Sequence, residues 1–393
     1  PFGEAEGFGD RPCSKENCPP YDMPSFNVFG KPVASWKALL KPTTAGGNYT
    51  ISANCTGCAA GSNIINITNV AFGDMWYCSG QSNMWLPVQS SFERNNTVAN
   101  ISAGKYTNIR LMAGGSGTTV YSYKGGLPSE SSQYGGVGGS NPWLTAEQAI
   151  SDGNASHPTY SLFDIGASCW YFAQRLSELG VDVPIGLADT AIGGQRIEEY
   201  MNNISGGIDK CSERAGEKNP WWDGQLFATQ VTPFVDMTVK GFVWYQGENN
   251  MGATKGNSIA DVGYACEQRE LITGWRKVWS ETPGTTDPEA PFGVVTLASS
   301  GTEGGPDIGT MRLAQTASYG ILPNPALPNT FMAQAYDLDD EWGPSVGICF
   351  QGLGYTFPPG WECCSNKGTK PTPFNSTSCT PEREKMCTQA CAA

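Results

Sequence analysis

A chain of 393 residues, 39% hydrophobic and 11% aromatic, has enough apolar material for one large or two ordinary packed domains, which excludes a disordered or fibrous segment. Its 24 basic residues against 37 acidic ones leave a formal charge of −13, which disfavours nucleic acid and anionic membrane surfaces as partners and suits a neutral or well-hydrated ligand. No run of about 18 apolar residues occurs, so no membrane-spanning helix is expected.

The chain opens at Pro1 with neither an initiator Met nor an apolar leader, which reads as a processed or trimmed terminus. From Phe26 to about Val70, the stretches SFNVFGKPVASWKALL, GGNYTISANCTGC and NIINITNV alternate and are punctuated by turns. They predict the strands of a small sandwich or sheet, so residues 1–70 are read as a β-rich segment. Cys55 and Cys58 form a CxxC without a second pair at zinc spacing, and disulfide bonding in a secreted loop is the better reading.

Beyond Ala71 short apolar runs alternate with helical stretches. Strands are predicted at Met75–Cys78, Pro184–Ala188, Gly241–Tyr245, Phe292–Leu297 and Phe331–Tyr336, and helices over Ser161–Gly180, Glu267–Trp279 and Ile308–Leu322. That alternation implies an α/β domain over 71–345, an open and mostly parallel sheet covered on both faces. Gly114–Asn141 is glycine- and serine-rich and reads as a long surface loop. Its GGVGGS is no phosphate cradle, because no strand precedes it and no helix follows. Asp337–Asp340 lacks the spaced ligands of a calcium loop and reads as a solvated acidic turn, so no metal is expected. From Cys349 six cysteines fall in a Pro- and Gly-rich stretch, which makes residues 346–393 a Cys-rich, disulfide-held tail or insertion. The last residues open like a helix, with Thr380 as N-cap and Pro381 behind it, yet no Gly or Asn closes it, so the sequence reads as stopping inside an element.

Fourteen cysteines accompany glycosylation sequons at Asn48, Asn54, Asn66, Asn95, Asn100, Asn154, Asn203 and Asn375. Together they place the protein in a secreted, extracellular or lumenal compartment, a lysosome-like one included.

In a parallel α/β sheet the binding crevice lies at the carboxyl ends of the strands. The segments that follow the predicted strands are Ser79-Gly-Gln-Ser-Asn83, Asp189-Thr-Ala-Ile-Gly-Gly-Gln-Arg196, Gln246-Gly-Glu-Asn-Asn250 and Asp337-Leu-Asp-Asp340. Small residues beside amides, a hydroxyl and acids are what acyl transfer needs: a nucleophile, N–H groups that can approach an oxyanion, and a polarised dyad. Ser82 at a strand-to-helix turn would be aided by the helix N-terminus and is favoured over Ser79; the alternative is that it caps a helix.

The blocks GDMWYCSGQSNM (Gly73 to Met84), PIGLADTAIGGQRIEEYM (Pro184 to Met201) and GFVWYQGENN (Gly241 to Asn250) resemble the signature blocks of the sialate O-acetylesterase family, within the SGNH hydrolases and related to acetylxylan esterases. The resemblance covers roughly residues 25 to 340. It implies a flavodoxin-like three-layer α/β/α fold with β-rich segments, and removal of O-acetyl groups from sugars such as sialic acids, with no metal or other cofactor. By the same resemblance Ser82 matches the nucleophile, with its own N–H in the oxyanion hole. Gly194, or its neighbour Gly193, matches the glycine whose N–H helps, and Gln246 matches the side-chain amide donor. Glu248 would order its loop or meet a substrate hydroxyl, or be structural. Asn83 lies beside the nucleophile, and Arg196 would meet an acidic sugar or make an ion pair.

The chain departs from the family at one essential point. The family's last block supplies an Asp and a His a few residues apart after a strand like FMAQAYDLDD, whereas here no histidine follows that strand. The one histidine, His157, sits in NASHPTY and reads as an exposed loop residue. Two readings follow: an Asp–His block beyond Ala393 completes the site, or the fold has become an inactive glycan-binding or extracellular assembly protein. The first makes an O-acetylated sugar or glycan the substrate; the second implies an extracellular partner.

Overall fold

The computed structural model describes residues 38–55, 64–88, 91, 93–112, 143–151, 162, 165–201, 207–216, 218, 223–251, 261–298 and 308–335. Outside them lie Cys58, the expected loop Gly114–Asn141, His157, the turn Asp337–Asp340, the tail 346–393 with its expected terminal helix, and the sequons at Asn154, Asn203 and Asn375. The chain separates into two compact units between Gly73 and Asp74.

In the first unit β1 (Gly46–Asn54) pairs antiparallel with β2 (Ile64–Phe72), and register shifts follow Gly46 and Tyr49. Tyr49 meets Phe72 edge-on across the pair, ring centroids 5.4 Å apart. The sequon asparagines Asn48, Asn54 and Asn66 are exposed here, as Asn95 is in the second unit, and Asn100 is half-buried.

The second unit is built on a seven-stranded sheet. Its strands are β3 (Asp74–Gly80), β4 (Ile109–Met112), β5 (Trp143–Thr145), β6 (Ile185–Asp189), β7 (Gly241–Tyr245), β8 (Phe292–Thr296) and β9 (Thr330–Gln334), in the order β5-β4-β6-β3-β7-β8-β9. All neighbours run parallel except β4 and β5. The five predicted strands form the run β6-β3-β7-β8-β9, which is the flavodoxin-like doubly wound order. The two strands not predicted, β4 and β5, extend that run at one edge; at four and three residues they carry too little periodicity to be read from sequence.

The helices are α1 (Ser82–Trp85), α2 (Arg94–Ser102), α3 (Ala146–Ser151), α4 (Ala167–Glu178), α5 (Gly263–Trp279) and α6 (Ile308–Gln315). The helix predicted from Ser161 begins at Ala167, where Gly166 donates its N–H to Asp189 Oδ2 at 2.8 Å. The helix predicted to reach Leu322 stops at Gln315, because Ala317 and Ser318 adopt positive φ of 53° and 67°.

Successive residues of a strand face opposite sides, and β3 shows how the sheet is covered on both. Trp76 packs edge-on against Phe172 of α4, while Tyr77 packs against Trp275 and Trp279 of α5. Phe242 and Phe292, in register with Tyr77 across β7 and β8, extend the α5 side. Burial of large aromatic side chains on this face, each worth about 2–3 kcal/mol relative to exposure, makes it the main core. Cys78 bonds to Cys169 and so ties β3 to α4, and Cys211 bonds to Cys266. Cys55 is also disulfide-bonded, so all five described cysteines are paired.

Gly80 closes β3 at φ +144°, and a Cβ there would lie 2.0 Å from the carbonyl oxygen of Tyr245. Gly80→Ala must therefore part β3 from β7 as well as adopt a backbone conformation suited to glycine. A loss of about 3 kcal/mol or more is expected, read as a lower urea midpoint at an unchanged m-value.

Candidate active site

Chain reversal puts a crevice beside β3. From β3 the chain runs through β4, β5 and β6 on one side and then to β7 on the other, so the β3/β7 boundary is the topological switch point where open α/β sheets bind ligands. Three loops meet there.

The first carries Ser82. Gln81 donates its N–H to Tyr245 O at 3.0 Å and occupies the N-cap position of α1, so Ser82 is the first helical residue rather than the cap. The turn is four residues long, and the aid expected from a helix macrodipole is missing because too few peptide dipoles are aligned. Ser82 is half-buried, with Gln81 Nε2 3.4 Å from its Oγ. Ser79 is fully buried, its Oγ 3.1 Å from the Thr190 hydroxyl.

The second loop follows β6 and is sewn to the end of β3. Thr190 N–H donates to Cys78 O at 2.9 Å and Ile192 N–H to Gly80 O at 3.1 Å, while the Tyr200 hydroxyl donates to Gly80 O at 2.7 Å. This brings the glycine pair alongside the serine. A Cβ on Gly193 would stand 3.8 Å from Ser82 Cβ, and Gly194 holds φ +78°.

The third loop follows β7. Gln246 is fully buried; its Nε2 has acceptors in Gln81 Oε1 at 3.0 Å, Gln195 O at 3.1 Å and Asn250 Oδ1 at 2.8 Å, and its Oε1 accepts from the Tyr264 hydroxyl at 2.7 Å. Gln246 thus reaches Ser82 through Gln81. Glu248 Oε1 accepts from Asn83 Nδ2 at 2.6 Å, which clamps the serine turn to this loop. The exposed Asn249 side chain bonds to Gly194 O, and its backbone N–H reaches Gln81 Oε1 at 3.2 Å. Ser82, Asn83, Gly193, Gly194, Gln246 and Glu248 therefore come together. Gln81, Asn249 and Asn250 were not singled out in the sequence, although each stands in a quoted block and has the same amide chemistry as Gln246.

Arg196 points into a nest of acids. It lies 3.8 Å from Glu199 and 3.9 Å from Asp223, which also pairs with Arg214 at 2.8 Å. Of its two expected roles, the structure displays the ion pair. Burial pushes the Glu199 carboxyl up to about 7 against the Arg196 N–H and charge, which favour ionisation. Asp189, also buried, is pushed up to about 7 although it accepts the N–H groups of Ala191 and Gly166. The Glu267 carboxyl is held well above the usual range by burial and then by nearby Glu198.

A carboxyl with a raised folded-state pKa binds its proton more tightly folded than unfolded. Stability then falls as pH rises, starting near the unfolded values of 3.8 and 4.5 and continuing to about 7 for Asp189 and Glu199. A loss on the order of a few kcal/mol between pH 5 and pH 8 is expected, seen as a lower Tm at the higher pH. Glu199→Gln should flatten that dependence.

A family model described as carbohydrate esterase, sialic acid-specific acetylesterase matches residues 111–342. The match includes Gly194 and Gln246 and begins downstream of Ser82. The chain is 32% identical over 326 residues to a sialate O-acetylesterase of Pongo abelii, and 32% identical over 337 residues to that of Homo sapiens. Each comparison covers 80% of this chain and 57% of the relative, so the chain spans a little over half the length of these curated relatives. A carbohydrate acetylesterase structure from Xanthomonas citri has the same fold, with a TM-score of 0.52 at 23% identity over 78% of this chain and 59% of that one.

Proposed function

Because the chain belongs to the sialic acid-specific acetylesterase family of carbohydrate esterases, we propose that it is a sugar O-acetylesterase with Ser82 as nucleophile. The observation that carries this reading is the convergence of Ser82, the Gly193–Gly194 pair and the Gln81–Gln246 amides at the β3/β7 switch point. Ser82 Oγ attacks the acetyl carbonyl, and the carbonyl oxygen becomes an oxyanion facing the N–H groups of Ser82 and Gly194 and the Gln81 side-chain amide, which Gln246 holds from behind. Collapse of that intermediate releases the sugar hydroxyl and leaves an acetyl-serine, which water hydrolyses. A general base takes the serine proton and returns it to the leaving oxygen, the part that the family resemblance gives to an Asp–His dyad. Glu248 keeps Asn83 and the serine turn in place. Paired cysteines and exposed sequons support an oxidising extracellular or lumenal setting.

The test is a fluorophosphonate probe with the labelled residue mapped by mass spectrometry, beside hydrolysis of an acetylated sugar. Labelling at Ser82 with ester turnover supports the reading. An accessible Ser82 that stays unlabelled while a control esterase reacts moves the protein to a glycan-binding or assembly role.

A further inference from the structure

Behind Ser82 runs a chain of side-chain amides whose far end is a carboxylate. Glu198 is fully buried and accepts Gly216 N–H at 2.6 Å on Oε1 and Asn250 Nδ2 at 2.8 Å on Oε2. Asn250 Oδ1 then accepts from Ile197 N–H at 3.0 Å and from Gln246 Nε2 at 2.8 Å. Gln246 Nε2 also reaches Gln81 Oε1 at 3.0 Å, which leaves Gln81 Nε2 to face Ser82 Oγ. Asn250 and Gln246, like Glu198, are fully buried, and Gln81 is 2% exposed, so water cannot substitute for a lost partner.

An amide can turn end for end at little cost in shape, and only its partners decide which end is N–H₂. A carboxylate offers no N–H, so at Glu198 the choice is forced: Asn250 must present Nδ2 there and Oδ1 to Gln246. We infer that Glu198 is a positioning residue for the esterase site, acting through Asn250 and Gln246 to fix the Gln81 amide with its N–H₂ toward Ser82, a role that rests on the esterase reading.

Glu198→Gln tests it without a change of shape. Gly216 N–H demands an oxygen, so the new amide turns its N–H₂ toward Asn250; Asn250 turns in response, and its Nδ2 then opposes the N–H groups of Ile197 and Gln246. The expected result is a fall in kcat of about 10- to 100-fold at nearly constant KM, with slower fluorophosphonate labelling of Ser82. Asn250→Asp alone places two carboxyl groups together and should lower kcat similarly. The double variant Glu198→Gln with Asn250→Asp restores the series with reversed polarity. The amide introduced at position 198 donates to the carboxylate introduced at position 250, and that carboxylate still accepts from Ile197 and Gln246. Recovery to within about threefold of wild-type kcat is expected in this cycle. Glu199→Gln, at the neighbouring buried carboxyl outside the series, should leave kcat unchanged.

An active wild type whose Glu198→Gln variant keeps kcat within about twofold, or a double variant no better than the worse single one, overturns the positioning role alone. A single variant whose only change is in Tm, with kcat per folded molecule intact, does the same. A wild type that neither turns over an acetyl ester nor labels removes the esterase reading and the positioning role together.

Discussion

Ser82→Ala is expected to lower kcat/KM for an acetyl ester by about 10⁴-fold or more, while Tm moves by no more than about a degree or two. The two effects separate because the role proposed for Ser82 is chemical and its packing is slight. Its Oγ has one side-chain contact among the described hydrogen bonds, the 3.4 Å approach of Gln81 Nε2, and the residue is half-buried at the crevice. Removing it leaves no covalent route, whereas the backbone of the turn remains pinned by Gln81 N–H on Tyr245 O and by Asn83 on Glu248. Alanine also retains its own N–H, so the variant should still bind an acetylated sugar with near-native affinity. Turnover that survives this substitution would place the nucleophile elsewhere.

Replacing both Cys78 and Cys169 by Ala is expected to have the largest effect on stability. The bond closes a loop of 91 residues, for which the lost chain entropy of the unfolded state corresponds to about 4–5 kcal/mol. That is a third or more of the stability of an ordinary domain. Both cysteines are fully buried where β3 meets α4, and Ser82 follows Cys78 by one short turn. A fall in Tm of about 10 °C or more is expected by calorimetry. A fall of less than about 3 °C would mean that packing of Trp76, Phe172 and Trp170 alone holds the two elements.

Much of this architecture was legible in short stretches. Met75–Cys78 and Gly241–Tyr245 are runs too apolar for a half-exposed strand, and a glycine follows two residues after each. That signature survives because central strands of a parallel sheet are buried on both faces. β4 was not legible for the opposite reason: Ile109–Met112 has two buried and two half-buried residues, and its place is set by pairing with β6 rather than by its own pattern. The ends of α4 and α6 were overestimated because periodicity continues past the point where Gly166 is captured by Asp189, or where Ala317 turns left-handed.

At the site the same division holds. The segment Gln246–Asn250 could be placed beside Ser82 because strand ends in such a sheet converge, which needs only the order of elements, and the family resemblance then singled out Gln246 and Glu248. What each side chain does was decided by packing. Gln246 points inward through an amide series that ends on Glu198, and Glu248 holds Asn83. Arg196, two residues beyond the glycine pair, turns toward Glu199 and Asp223.

The sequence by itself determined the doubly wound class, the abundance of cysteines, and the cluster of hydroxyl, glycine and amide residues at the strand ends. These are properties of residue type and spacing. Only the tertiary structure decided the partners: which amide faces Ser82, which carboxyl groups are pushed toward neutrality, and which cysteines are bonded. Hydrogen bonds and charge interactions act over a few ångströms between residues up to 168 positions apart, and the distance along the chain carries no record of them.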